Sequence, residues 1–477
     1  MQEACMCSIQ KNPTQTRITE GIKLRGKGKI KLIETTKIRP FLDRINFKMC
    51  STGGDDGDNL LEPKPRLLQP GTICRKCKFV KAQVVLQIRD AYCKDCFLAL
   101  CNHKFRALLG KSRVFDNKPK SALIAFSGSA SSLALSKLLS DAVAAGPSHR
   151  RIMADPKIIH IEEGSLLDLS SEDRLRQCSE IKSAAAMFGF PVYCVPLNIG
   201  GCLPVPIDNY KIDKENDTKV QEMFHAIKDA SSKIDFLSQM RYEILANCAR
   251  KLDTSLVMLA DSSTSVAVKI LSGVALGRGA SIGLETGFSD TRHPDITILR
   301  PLRDFSSKEA AIFCSFSGCS QPVFIPSLLT MSEADSSIQR LTEDFIITLQ
   351  NEFPSTVSTI YRTGEKFRSL DSNSICALCL GPKDTCPKAC SAIEATDFSR
   401  KLSTGGKKET GSCSSCNCKS SVSQLNLMQA LCYSCRLLAR SMEKPDLMPS
   451  SVIERVKESQ SFSEMRSQIE EFLITDE

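Results

Sequence analysis

Ala122–Leu135 reads A-L-I-A-F-S-G-S-A-S-S-L-A-L. An apolar run ends at Phe126, a Ser/Gly loop spans Ser127 to Ser132, and an apolar-periodic run starts at Leu133. That order is a buried strand, a tight turn and a helix start. A turn of this kind directs free backbone N–H groups and the positive end of a helix at one point, which suits a phosphate. Gly128 permits the turn, and Ser127, Ser131 and Ser132 offer hydroxyls. The loop holds no Lys and no Asp, so it is neither a Gly-Lys-Ser/Thr phosphate loop nor a G-x-G-x-x-G dinucleotide turn. On bare pattern it also fits an ordinary N-cap.

The elements around the loop alternate. Strands are expected at Ala122–Phe126, Lys157–Ile161, Val192–Leu197, Ser255–Ala260 and Ile296–Leu299, with helices over 131–145, 172–188, 235–252, 264–276 and 306–316. An inserted helix is expected near Thr218–Ser232, an amphipathic one over 333–352 and a charged one near Val452–Ile474. This rhythm predicts an α/β fold with a doubly wound parallel sheet.

The chain has 23 cysteines and no apolar leader, which favours an intracellular metal-binding protein over a disulfide scaffold. Cys74-x-x-Cys77 and Cys93-x-x-Cys96 have zinc-ribbon spacing: each pair makes a knuckle, and two knuckles complete a tetrahedral site of four thiolates. Cys101 and His103 are spare donors nearby and read as bystanders. Cys376-x-x-Cys379 with Cys432-x-x-Cys435 forms a second set across a long insert. Cys386, Cys390, Cys413, Cys416 and Cys418 lie inside that insert and offer a further site or a substitute for either pair. A closed four-thiolate site leaves no open position for water, so both sets read as structural, with zinc expected; thiolates also serve iron–sulfur clusters.

The layout is a disordered extension over 1–71, a zinc-ribbon module with a basic linker over 72–120, and an α/β domain over 121–330. A helical connection follows over 331–371, then a Cys-rich module over 372–440 with a flexible Ser/Gly/Lys insert, and a C-terminal helix over 441–477. Residues 1–48 are basic with little apolar periodicity, and Met49 is the expected translation start. No apolar run approaches the roughly 18 residues a membrane span needs. The net charge of +9 permits a polyanionic partner. Lys104, Arg106, Lys111, Arg113, Lys118 and Lys120 form a basic run, Arg75, Lys76, Lys78 and Lys81 crowd the first knuckle, and His149, Arg150 and Arg151 make another cluster. With aromatic residues at 6%, phosphate contacts rather than base stacking are the expected mode.

The loop resembles the S-G-G-x-D-S signature of PP-loop ATP pyrophosphatases, and over about 72–440 the order of modules resembles the tRNA thiolases. The match is to the cytoplasmic tRNA 2-thiolation protein 2 family, the second subunit of the cytosolic thiouridylase. Ile159–Gly164 stands where active relatives carry an acidic D-E-G stretch and keeps Glu162, Glu163 and Gly164. Leu259–Ser265 stands where they carry an H-N-x-D-D type segment. Leu276–Ser281 (L-G-R-G-A-S), Arg300–Asp304 (R-P-L-R-D) and Lys308-Glu309 follow the subunit's later motifs. Ser129 replaces the second Gly, Ser131 replaces the Asp, and only Asp261 survives of the later acids. The catalytic C-x-x-C pair has no counterpart, and Cys178, Cys194, Cys202, Cys248 and Cys314 are isolated in sequence, those in the α/β domain reading as core. The resemblance therefore implies a pseudoenzyme that supports an intact PP-loop paralogue. That paralogue would adenylate the uridine and take sulfur from a thiocarboxylated ubiquitin-like carrier. It also implies tRNA contacts through Lys104, Arg106, Lys111, Arg113 and Arg278, and puts ATP binding by this chain in question.

Overall fold

The computed structural model describes residues 71–468, apart from 87–89, 116–119, 145–153, 199–200, 202, 334, 354, 368–373, 385–395 and 397–426. Residues 1–70 of the extension expected over 1–71, Lys118 of the basic run, the His149–Arg151 cluster and the five insert cysteines lie outside the described residues.

A hairpin of β1 (Val84–Val85) and β2 (Ala91–Tyr92) opens the described chain. The central sheet contains β3 (Lys120–Ala125), β4 (Ala154–Glu162), β5 (Val192–Pro196), β6 (Val205–Pro206), β7 (Leu256–Met258), β8 (Ser289–Asp290) and β9 (Thr297–Leu299). Their order is β6-β5-β4-β3-β7-β9-β8. The five inner strands are parallel, and β6 and β8 close the edges antiparallel. The α/β parallel sheet expected from sequence is present; the two edge strands are too short to leave a periodic signal.

Side-chain alternation builds two cores. Ala122 and Ile124 of β3, Ile158 of β4, Cys194 of β5, and Leu256 and Met258 of β7 enter one, with the helices Lys94–Lys111, Ala130–Val143, Ser171–Ala186 and Ser307–Ser317. Leu123, Ile159, Val195, Val257 and Ile298 enter the other, with the helices Lys214–His225, Ala230–Lys251 and Tyr433–Ser441. A strand buried on both faces needs a continuous apolar run, which is what Ala122–Ile124 supplies.

Two expectations change. The inserted helix is Lys214–His225, capped by Asp213, and the long helix begins at Ala230 because Asp229 caps it through Ser232 N–H at 2.7 Å. The basic run is helical as far as Lys111: it shares the helix Lys94–Lys111, whose Phe97, Cys101, Phe105 and Leu109 recur every fourth residue and bury in the core. Beyond the sheet, the helices Ile338–Glu352 and Thr356–Gly364 pack on the helix Ser263–Ala275 through Val266, Ile270, Ile346, Val357 and Ile360.

Candidate functional site

β3 pairs in parallel with β4 on one side and β7 on the other, so the order in which strands are added reverses at β3. In open parallel sheets the crevice beyond such a switch, at the carboxyl ends of the strands, is where ligands bind. Here it gathers the Ser127–Ser132 loop after β3, Glu162 and Glu163 at the end of β4, Asp261 after β7 and Arg300 after β9.

The loop is held mostly by its own hydroxyls. Gly128 has φ +77, and its C=O accepts Val323 N–H at 3.0 Å. A Cβ there would lie 2.7 Å from Ile181 Cδ1, so only glycine fits. Ser129 caps the following helix, its Oγ accepting from Ser132 N–H at 3.4 Å and from Ser127 Oγ at 3.0 Å. Ser132 is buried and donates to Ser129 C=O at 2.9 Å. Of the predicted nucleotide-loop residues, Ser127 is exposed and Ser131 half-buried.

Each of the three carboxylates Glu162, Glu163 and Asp261 already has a cation. Glu162 accepts from Arg174 Nε at 2.9 Å and Nη2 at 2.5 Å, from Gly164 N–H at 2.7 Å and from Tyr210 Oη at 3.0 Å. Burial pushes this carboxyl up, but Arg174, Gly164 and Tyr210 together hold it below its ordinary value. Glu163 takes a bidentate pair from Arg241 at 2.5 and 2.6 Å. Asp261 faces Lys269 at 2.7 Å and Arg300 at 3.2 Å; against the opposing effect of burial, the two cations lower its pKa. Arg300 is 0% exposed and also donates to Tyr242 Oη at 3.3 Å. The R-P-L-R-D motif reaches further: Arg303 lies 4.9 Å over the Tyr361 ring, and Tyr361 Oη donates to Asp304, clasping the helix Thr356–Gly364. The partners Arg174, Tyr210, Arg241 and Tyr242 were invisible to sequence spacing, because each comes from a distant helix or loop.

The two cysteine sets close as the spacing predicts. Cys74, Cys77, Cys93 and Cys96 have sulfurs all within 4.8 Å of one another, as do Cys376, Cys379, Cys432 and Cys435. Both are built alike. In the first knuckle, Cys74 C=O accepts Lys78 N–H at 2.9 Å, Lys78 has φ 60, and Cys93 sits at the start of a helix. In the second, Cys376 C=O accepts Leu380 N–H at 3.0 Å, Leu380 has φ 57, and Cys432 sits at the start of a helix. Four thiols without another donor fit a tetrahedral ion: at a metal–sulfur distance of about 2.3 Å, neighbouring sulfurs sit about 3.8 Å apart. Cys77 and Cys93 are 3.9 Å apart, and Cys379 and Cys432 3.8 Å. Cys101 is buried in the core, away from both sets, and burial pushes its thiol up to about 12. Cys178, Cys194, Cys248 and Cys314 are likewise core residues, and Cys202 lies outside the described residues.

Of the predicted tRNA contacts, Lys111 and Arg113 are exposed and Arg106 is half-buried. Lys104 pairs with Glu309 at 2.9 Å and lies 4.8 Å over the Phe305 ring. Arg278 is corrected: it is 4% exposed, and it holds Asp235 at 2.6 and 2.9 Å and Glu285 at 3.4 Å, with Cys435 Sγ 4.0 Å away. Its guanidinium is engaged inside the fold, behind the second cysteine set, and does not reach a surface ligand.

A sequence profile described as Cytoplasmic tRNA 2-thiolation protein 2 matches residues 337–437. The chain is 33% identical to the Cytoplasmic tRNA 2-thiolation protein 2 of Danio rerio, over 85% of this chain and 94% of that protein. It is 29% identical to the protein of that name from Homo sapiens, over 85% and 94%. Among solved structures it is similar to the U34-tRNA thiolase NcsA from Methanococcus maripaludis, described with its 4Fe–4S cluster. That likeness has a TM-score of 0.46 at 16% identity and covers 68% of this chain and 93% of the other.

Proposed function

This chain belongs to the cytoplasmic tRNA 2-thiolation protein 2 family, and on that premise we propose that it is the non-catalytic subunit of a cytoplasmic heterodimer that 2-thiolates the wobble uridine of tRNAs for Lys, Glu and Gln. The observation that carries the reading is the state of the crevice. The acids that would anchor a magnesium–nucleotide complex are each neutralised by a cation of the fold: Glu162 by Arg174, Glu163 by Arg241, and Asp261 by Lys269 and Arg300. For Glu162–Arg174 and Asp261–Arg300, whose guanidinium groups are 4% and 0% exposed, replacing the partner by a magnesium ion strands a buried cation, at a cost of about 3–5 kcal/mol. The Glu163–Arg241 and Asp261–Lys269 pairs are partly solvated and count for less.

In this reading the loop shapes the strand-to-helix turn and the chain supplies scaffold and RNA surface. An intact PP-loop paralogue activates the uridine with ATP and receives sulfur from the thiocarboxylate of a ubiquitin-like carrier. The link to such a carrier ties the complex to protein urmylation. Both four-cysteine sets hold zinc, which would supply no chemistry beyond cross-linking the knuckles, since four thiolates leave no open position. Lys111 and Arg113 belong to the tRNA surface.

Reconstitution tests the proposal. With paralogue, carrier, ATP and tRNA present, adding this chain is expected to raise 2-thiouridine formation at least tenfold, read by mass spectrometry of tRNA nucleosides. Thiolation that proceeds equally well without the chain contradicts a supporting role.

A further inference from the structure

The two cysteine knuckles share one backbone and carry opposite surfaces. Aligned on Cys74 and Cys376, the first has Arg75, Lys76, Lys78 and Phe79 where the second has Ala377, Leu378, Leu380 and Gly381. In the second knuckle, Ala377 and Leu378 are buried in the core, and Gly381 backs onto Ser281, where a Cβ would meet Ser281 Cβ at 3.0 Å. In the first, the same positions face solvent. Phe79 is 90% exposed, the most exposed large apolar side chain among the described residues, with Ile73 and Val80 exposed beside it.

The knuckle's backbone turn carries this display. Left-handed Lys78 turns the chain at the tip, and the turn is closed by Lys78 N–H to Cys74 C=O at 2.9 Å and Cys74 N–H to Val80 C=O at 2.8 Å. The four thiols converge within 4.8 Å of one another, while the Phe79 ring is 90% exposed. Around the ring stand Arg75, Lys76, Lys78 and Lys81, all exposed, and residues 72–86 contain no acid. Arg75 pairs with Asp90; no ion pair of Lys76, Lys78 or Lys81 is seen among the described residues.

A naked aromatic among lysines matches a partner with flat apolar faces strung on anions. Single-stranded nucleic acid has that chemistry: bases stack on exposed rings while the backbone follows cations. A protein partner fits less well, because lysine is depleted from the cores of protein interfaces. We propose that the first knuckle is a single-stranded RNA contact, in which Phe79 stacks on an unpaired base and Lys76, Lys78 and Lys81 take the flanking phosphates. The proposal deepens the tRNA-thiolation reading and rests on it for the identity of the RNA, an unpaired loop or end of tRNA. It also replaces the expectation, drawn from the scarcity of aromatics, that stacking plays no part.

The chain contains no tryptophan, so Phe79→Trp installs a single reporter at the knuckle tip. Zinc-loaded full-length chain, alone and with its PP-loop partner, is titrated with an unmodified tRNA transcript. The expected results are quenching of the introduced indole's emission on binding, an affinity within about twofold of the native chain, and about tenfold weaker binding by Phe79→Ala at unchanged zinc content. Unchanged affinity of Phe79→Ala, or no quenching while tRNA binds, overturns the proposal. Weakened capture of the partner subunit with tRNA affinity intact also overturns it and assigns the tip to a protein contact. A native complex that binds no tRNA at all overturns both this proposal and the function it rests on.

Discussion

Cys435→Ser is expected to remove the cooperative unfolding transition of the whole chain, whereas Cys77→Ser keeps it. The two four-cysteine sets are alike in backbone but not in surroundings. Cys376, Cys379, Cys432 and Cys435 belong to the same buried cluster as Phe236, Leu245, Val257 and Ile298, so the second metal site is part of the core on one face of the sheet. A structural zinc contributes about 10–16 kcal/mol to folding in small domains. A whole domain is stable by about 5–15 kcal/mol, so the core cannot absorb that loss. The first set sits outside both cores, and the helix that follows it keeps its own anchors, Phe97, Phe105 and Leu109. Thermal melts followed by circular dichroism, with size-exclusion chromatography, read the difference. The expected record is aggregation without a transition for Cys435→Ser, and a melt within a few degrees of native for Cys77→Ser, with faster proteolysis only before Lys94. Equal collapse of both variants would show that the first knuckle is as central to the fold as the second.

Arg278→Leu is expected to be the most damaging substitution of a predicted RNA contact, for a reason unrelated to RNA. Asp235 is buried, which raises its pKa despite the Arg278 guanidinium beside it. Removing that guanidinium leaves a buried carboxylate without its partner, at a cost of about 3–5 kcal/mol. It also strips positive charge from the edge of a thiolate cluster, and losing such an outer partner typically weakens metal affinity about 10- to 100-fold. The neighbouring Gly277 has φ +75 and leaves no room for a Cβ, which would lie 2.6 Å from the Tyr433 ring. The L-G-R-G-A-S segment thus seats the second cysteine module against the sheet domain. The checks are chemical denaturation and zinc release to a chromogenic chelator. Arg278→Leu should lose zinc faster than the native chain, while Lys111→Glu releases it at the native rate. A variant of native stability and zinc retention but weak tRNA binding would return Arg278 to the surface role.

These cases show where the sequence was readable. The loop, the parallel strands and each cysteine knuckle depend on residues close in the chain: apolar runs for β3, β4, β5, β7 and β9, and C-x-x-C spacing for the knuckles. Equivalent spacing could not tell a knuckle that faces solvent from one sunk in the core, because burial is decided by what packs from elsewhere. Arg278 looked like a free cation for the same reason; its partners Asp235 and Cys435 are 43 and 157 residues away. The basic run after Cys96 read as a linker because its charges outnumber its anchors, yet one apolar side chain every fourth residue (Phe97, Cys101, Phe105, Leu109) was enough to bury a helix face. Glu162, Glu163 and Asp261 were legible in the sequence as acids following predicted strands, but their neutralisation by Arg174, Arg241, Lys269 and Arg300 is a property of the folded chain.

The central claim is that the crevice of this chain is architectural and the chemistry belongs to its partner. ATP–pyrophosphate exchange, measured on the purified zinc-loaded chain and on the reconstituted complex, tests it most directly. The account predicts no exchange by the chain alone, and exchange by the complex unaltered when Ser127 and Ser131 of this chain are both changed to Ala. Exchange by the chain alone, abolished by Ser127→Ala, would contradict it and make this subunit an ATP-dependent sulfurtransferase in its own right.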